Sequence, residues 1–178
     1  MRFVSLPLAG AFVVDAEPIR DERGFFARVF SADEFAQQGL SHTFVQSGIA
    51  FNPRARTLRG MHYQAAPHGE VKLIRCTAGA VYDVIVDLRS ESPTFRQWAS
   101  VELSADNRRT LYVPEGFAHG YVTLTDGAEL LYHMSAAHHA PSARGVRWND
   151  RAFGISWPVE PAVISERDAH YSDFDGAA

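Results

Sequence analysis

The chain has 178 residues, of which 46% are hydrophobic and 21% charged, with a formal net charge of −4. This is enough for one domain with a proper core, and too apolar for disorder. The weak negative charge gives no general attraction to nucleic acid or an anionic membrane, so an anionic small-molecule substrate would need a local cluster of cations.

In chain order, the N-terminal apolar stretch is followed quickly by Asp15, Glu17, Arg20, Asp21 and Glu22. Val13 and Val14 look like strand, so the segment reads as part of the fold rather than a signal peptide, and a cytoplasmic location is expected. No apolar run approaches bilayer length. Ser31-Ala32-Asp33-Glu34 fits a capping box, with Gly39 as the stop, and predicts a short helix. From Lys72 onward strand signals dominate: Lys72 to Cys76, Ala80 to Leu88, Trp98 to Leu103, Thr110 to Val113, Tyr121 to Leu124 and Glu129 to Met134. Turn signals separate them, among them Thr77-Ala78-Gly79, Pro114-Glu115-Gly116 and Thr125-Asp126-Gly127. Many short strands without intervening helices predict an antiparallel barrel or sandwich in a single domain, residues 1–178. Residues 175–178 are expected to fray.

Alternation over Ala80 to Leu88 puts Val81, Asp83, Ile85 and Asp87 on one face and Tyr82, Val84, Val86 and Leu88 on the other. Asp83 would be solvated on an average strand, but could point inward in a barrel with a ligand-filled interior. The single cysteine, Cys76, excludes an intrachain disulfide and a Cys-rich zinc site, and reads as a strand residue.

Polar residues concentrate among apolar neighbours in three segments: Leu58 to Gln64, Pro114 to Tyr121, and Ser165 to Asp168. His62 or His119 alone reads as structural. As a pair they raise a metal hypothesis, but no two-His-one-carboxylate spacing is present, and the adjacent His138-His139 would point to opposite faces of a strand. Metal catalysis is therefore disfavoured. Arg23, Arg59, Lys72 and Arg167 lie in structured-looking segments and could meet phosphate oxygens, although spacing alone does not separate them from scattered surface cations.

The segments DERGFF (Asp21 to Phe26), LRGMHYQ (Leu58 to Gln64), KLIRC (Lys72 to Cys76), VYDVIVDLR (Val81 to Arg89), SPTF (Ser92 to Phe95), VPEGFAHG (Val113 to Gly120) and RGVRWND (Arg144 to Asp150) resemble the dTDP-4-dehydrorhamnose 3,5-epimerase family, in its order and near its spacing. The resemblance implies a mostly β, double-stranded β-helix (cupin, jelly-roll) barrel with short peripheral helices. It also implies a homodimer and epimerisation at C3 and C5 of a nucleoside-diphosphate 4-keto-6-deoxysugar, without metal or cofactor. It gives His62 the role of base, Asp168 that of the carboxylate polarising it (Asp83 being the other possible neighbour), and Tyr132 that of acid on the opposite face. Arg59, Lys72 and His119 would surround the sugar, Arg23 and Arg59 would meet the diphosphate, Arg167 would stand beside the nucleotide, and Gln46 belongs to the family's Gln-x-Asn stretch.

These residue types suit the chemistry. A C4 ketone acidifies the hydrogens on C3 and C5, a histidine is a base matched to neutral pH, and an enolate oxygen needs a cation or donor nearby. Departures gather around the nucleotide: Arg28 stands where the family often has Glu, and Ala137 to Ser142 replace an aromatic, acidic segment. Three alternatives are a 3- or 5-monoepimerase, a non-catalytic sugar-nucleotide-binding barrel, and a metal-dependent cupin oxygenase.

Overall fold

A computed structural model describes residues 1–176; residues 177 and 178, at the expected frayed end, lie outside the described residues. In chain order the elements are β1 (Arg2–Ser5), β2 (Phe12–Asp15), β3 (Ile19–Asp21), β4 (Gly24–Phe26), α1 (Ala32–Gln37), β5 (Gln46–Asn52), β6 (Leu58–Gln64), β7 (Lys72–Ala78), β8 (Ala80–Asp87), β9 (Trp98–Ser104), β10 (Thr110–Val113), β11 (Phe117–Thr123), β12 (Ala128–Met134), β13 (Ala143–Gly145) and α2 (Glu166–Ala169). A six-stranded sheet of order β1-β2-β10-β7-β12-β5 faces a five-stranded sheet of order β13-β6-β11-β8-β9, and β3-β4 forms a separate hairpin. The strands pair antiparallel throughout both sheets. The sequence alternation and the order of the strands give the mostly β, cupin-type barrel.

Both sheets contribute to the interior. Ile74, Leu111 and Leu130 of the larger sheet pack with Val81, Ile85, Leu103, Phe117 and Tyr121 of the smaller one. The outer faces are covered too. Phe35 of α1 joins Val14, Leu73 and Tyr112 over the six-stranded sheet. Phe153, with Trp157 and Phe174 beside it, covers Met61, Val84, Val86 and Leu88 on the other sheet. Both faces of β8 are therefore buried, as expected for a wall between two packed layers. Cys76 is a strand residue inside the barrel, and burial raises its thiol pKa.

Two local expectations need correction. Ser31 is the N-cap of α1, but its side chain makes no capping bond. Glu34, instead of closing a capping box, pairs with the N-terminal amine at 3.0 Å and Arg28 at 3.3 Å, because the chain terminus folds over the helix start. The strand expected at Tyr121 begins four residues earlier, at Phe117, so Phe117 to Gly120 is barrel wall as well. Gly and His hid a two-residue alternation in which Phe117, His119 and Tyr121 point inward.

Candidate active site

The site is built on a bulge. Along β6 and β11, His62 pairs with His119, but Arg59 pairs with Tyr121, so β6 spends three residues where β11 spends two. An extra residue in one strand reverses the alternation beyond it. Arg59 and His62, which plain alternation would place on opposite faces, therefore both face inward beside Tyr121 and His119. Glycine makes this approach possible. Gly60 has φ +138, and a Cβ there would lie 2.5 Å from Gly120 Cα.

His62 meets Asp168 across the end of the barrel, with Nε2 to Oδ1 at 2.8 Å. Ser165 accepts the Asp168 N–H at 3.1 Å and so starts α2 with the carboxylate aimed inward. Burial alone would raise the Asp168 pKa, but the His62 hydrogen bond and charge, the Gly60 N–H and Arg167 outweigh it and hold the carboxyl below its ordinary range. Asp168 is thus an acceptor only. It takes its bonds from His62 Nε2 and from Gly60 N–H at 3.1 Å, which leaves Nδ1 of neutral His62 with the lone pair. The His62 side chain is 34% exposed and that of Asp168 only 4%, so the base is reachable while its partner is not.

Around His62 is a cavity of about 200 Å³, lined by Glu70, Lys72, His138, Arg144, Arg167 and Tyr171 among others. Lys72 Nζ lies 3.2 Å from Glu70 Oε1 and donates to His62 O at 3.3 Å. Arg167 reaches Asp168 Oδ1 at 3.4 Å and places a guanidinium nitrogen 3.4 Å from His62 Nε2. A larger cleft of about 690 Å³ lies beyond Tyr63 and Gln64, but none of the residues chosen from sequence lines it.

A second histidine–carboxylate pair lies deeper. His119 Nε2 is 2.9 and 3.0 Å from the two oxygens of Asp83. Asp83 therefore points inward, as a ligand-filled barrel allows, and partners His119 rather than His62. Burial raises its pKa, while His119 and Lys72 oppose that rise. Tyr132 comes from the opposite sheet, with its ring 5.9 Å from that of His119. Its pKa is pushed well above the phenol value by burial first, then by the Tyr121 and Asp83 charges, with Arg59 opposing.

The structure therefore brings together His62, Asp168, Lys72 and Arg167, with His119 and Tyr132 inside the barrel behind them and Arg59, exposed, bonded to Asn52 and Phe51 of β5. Gln46 acts on the loop at the mouth, its Oε1 accepting the His138 N–H at 2.7 Å. His138 and His139 are on a loop rather than a strand, the first lining the cavity and the second stacked on His68 at 3.7 Å. Arg23 does not join the others. It sits on the β3–β4 hairpin, 84% exposed and paired with Asp21, where Phe25 lies under Arg108 instead. Sequence reasoning did not find Glu70, Tyr171, Asn52 or Tyr121. Tyr121 closed the polar segment Pro114 to Tyr121 without being singled out, and nothing local marked the others. Among the described residues no group of three or more His, Cys, Asp or Glu could hold a metal ion, and no helix is long and apolar enough to cross a membrane.

Comparison with known proteins identifies the family. The sequence pattern described as dTDP-4-dehydrorhamnose 3,5-epimerase matches residues 5–176. The chain is 42% identical over 172 residues to the dTDP-4-dehydrorhamnose 3,5-epimerase of Salmonella typhimurium, covering 95% of this chain and 93% of the relative. It is 34% identical over 169 residues to the dTDP-4-dehydrorhamnose 3-epimerase of Streptomyces niveus, covering 94% and 81%. The crystal structure of the 3,5-epimerase from Bacillus anthracis with TDP and PPi bound matches it with a TM-score of 0.93 at 38% identity, covering 97% of this chain and 99% of that one. With a cupin-type barrel, a His–carboxylate pair at its mouth and matches spanning nearly its whole length, the chain belongs to the dTDP-4-dehydrorhamnose 3,5-epimerase family of isomerases.

Proposed function

We propose that the chain, acting as one cupin-type domain, inverts C3 and C5 of dTDP-4-dehydro-6-deoxy-D-glucose to give dTDP-4-dehydro-L-rhamnose. The observation that carries the reading is the His62–Asp168 pair at 2.8 Å on one sheet, with Tyr132 supplied by the other. Inversion needs a base on one face of a carbon and an acid on the other.

Nδ1 of His62 takes the proton from the carbon next to the ketone. The electron pair of the broken C–H bond moves through the carbonyl carbon onto O4, making an enolate. Asp168 stabilises the imidazolium that forms and keeps its tautomer fixed. Lys72 faces the enolate oxygen, with Arg59 and His119 as further donors. Tyr132 then gives its proton to the opposite face of the carbon, and O4 recovers its double bond. Solvent restores the Tyr132 proton and removes the one on His62. The proton balance closes with these side chains and solvent. Arg167 and Gln46 belong to the nucleotide end, Gln46 through the His138 loop.

The diphosphate role of Arg23 requires a second copy of the chain, since its hairpin lies away from its own His62. Two surfaces suit a homodimer. The edge strand β5 exposes Ile49 and Phe51, and the hairpin exposes Ile19 and Phe26. In the proposed homodimer these surfaces are covered, and Arg23 serves the partner's site.

The relatives favour a second reading as well, a 3-monoepimerase, because one of them is named for inversion at C3 alone. Proton NMR of the product tests the proposal. Coupling constants for a sugar inverted at both centres support it, inversion at one centre selects the monoepimerase, and unchanged substrate contradicts both.

A further inference from the structure

The reaction scheme leaves one charged group of the cavity without a role. Glu70 lines the same wall as Lys72, Arg144 and Arg167. The chain puts it there by alternation. Val71 exchanges two backbone-side bonds with Ser135, its N–H donating to Ser135 Oγ at 2.8 Å and its O accepting the Ser135 N–H at 3.0 Å. These continue the β7–β12 ladder, in which Lys72 pairs with Met134. Val71 is buried in the outer cluster with Phe35, Leu73 and Tyr112. Its neighbours on either side, Glu70 and Lys72, are therefore both turned to the inner face.

Lys72 Nζ is held between two oxygens there, 3.2 Å from Glu70 Oε1 and donating to His62 O at 3.3 Å. The Lys72 side chain is 11% exposed and that of Glu70 12%. An ion pair so withdrawn from water gains little stability over apolar side chains of the same volume, so stability does not account for it. Nor does substrate binding, because a carboxylate repels a diphosphate. A lysine ammonium is a point charge on a flexible stem, and it pairs with a phosphate oxygen as well as with an enolate. Left alone, Lys72 would be drawn toward the incoming phosphates. Arg144 and Arg167 are the better fit to those oxygens.

We infer that Glu70 is a positioning residue for Lys72. Its carboxylate keeps the ammonium at the His62 end of the cavity, for the enolate oxygen, and off the diphosphate. The inference rests on Lys72 being the enolate donor of the proposed reaction.

Glu70→Gln tests it, because the amide keeps the shape and removes the charge. The kcat and KM of inversion are measured by NMR for Glu70→Gln, Lys72→Met and the double variant. The expected kcat of Glu70→Gln is about tenfold to a hundredfold below wild type, the cost of misplacing a reacting group by about an ångström. Its KM is at or below wild type, because a released Lys72 binds the diphosphate in the ground state. In the Lys72→Met background Glu70→Gln costs nothing further, whereas a merely structural loss would add. Wild-type kcat in Glu70→Gln, a raised KM, or a further loss in the double variant overturns the inference. If Lys72→Met inverts the sugar at the wild-type rate, the proposed enolate donor itself is wrong and the inference goes with it.

Discussion

Replacing Asp168 by Asn changes one atom and sets two hydrogen bonds against each other. Asp168 now accepts from His62 Nε2 at 2.8 Å and from Gly60 N–H at 3.1 Å. An amide has one acceptor. If its oxygen serves Gly60, its NH2 faces His62 and forces the proton onto Nδ1, which removes the base. If its oxygen serves His62, the amide NH2 meets the Gly60 N–H, donor against donor. Even in the better orientation the imidazolium loses an anionic partner. A charge-assisted hydrogen bond contributes about 1.5–3 kcal/mol, or roughly 10- to 150-fold in rate. A reversed tautomer carries the loss toward about 10⁴-fold, the size seen when the same exchange is made in a serine-protease triad. The fall should be in kcat, with KM nearly unchanged, because Asp168 is too buried to touch the sugar. Turnover followed by NMR over a range of substrate concentrations measures it. Wild-type kcat, or a loss confined to KM, would refute the orienting role.

Other perturbations reach different parts of the account. Tyr132→Phe should stop net inversion while leaving solvent exchange measurable by NMR, because His62 can return a proton to the face it came from. Mixing Arg23→Ala with His62→Ala subunits should restore about a quarter of wild-type activity, since half the molecules are mixed dimers with one complete site each; no recovery after subunit exchange would mean that Arg23 does not act across a dimer. Asp87 has a structural role. It is buried, with bonds from Arg89, Ser92 and Thr94 at 2.8, 2.5 and 2.7 Å. Burial would raise its pKa, yet those bonds hold it below the ordinary carboxylate value. Its stabilisation is therefore complete above about pH 4 and is lost as pH falls through the folded-state value. Asp87→Asn should cost about 2–3 kcal/mol at pH 7, a range reduced because Arg89 is 35% exposed. The gap between urea melts of variant and wild type should narrow at pH 3.

The barrel was legible because strand signals are local. Short β-branched runs between turn residues located Thr110–Val113 to the residue and the other five strands expected from Lys72 onward within a few positions, while most strands before Lys72 went unmarked. The reach of β11 was lost because Gly and His in Phe117 to Gly120 carry little strand propensity, and pairing with β8 decides their conformation. The inward face of Asp83 could be posed as an alternative from alternation, but its partner could not. His119 and Asp83 are neighbours across a strand pair, and register is not written in either strand alone. The bulge at Gly60 is a sharper case. Counting by twos separates Arg59 from His62, and only the slip against β11 returns them to one face. His62 with Asp168, and Tyr132 across from them, came from resemblance rather than from periodicity. Asn52 and Tyr121 fell outside both, since a buried polar pair between two sheets has no local signature.

The most direct test of the central claim is solvent-deuterium incorporation. The chain is incubated with dTDP-4-keto-6-deoxyglucose in deuterated water, beside His62→Ala, and label is counted at C3 and C5. The account predicts deuterium at both carbons with wild type and at neither with the variant. Inversion without label, or full labelling by His62→Ala, would contradict proton abstraction by His62.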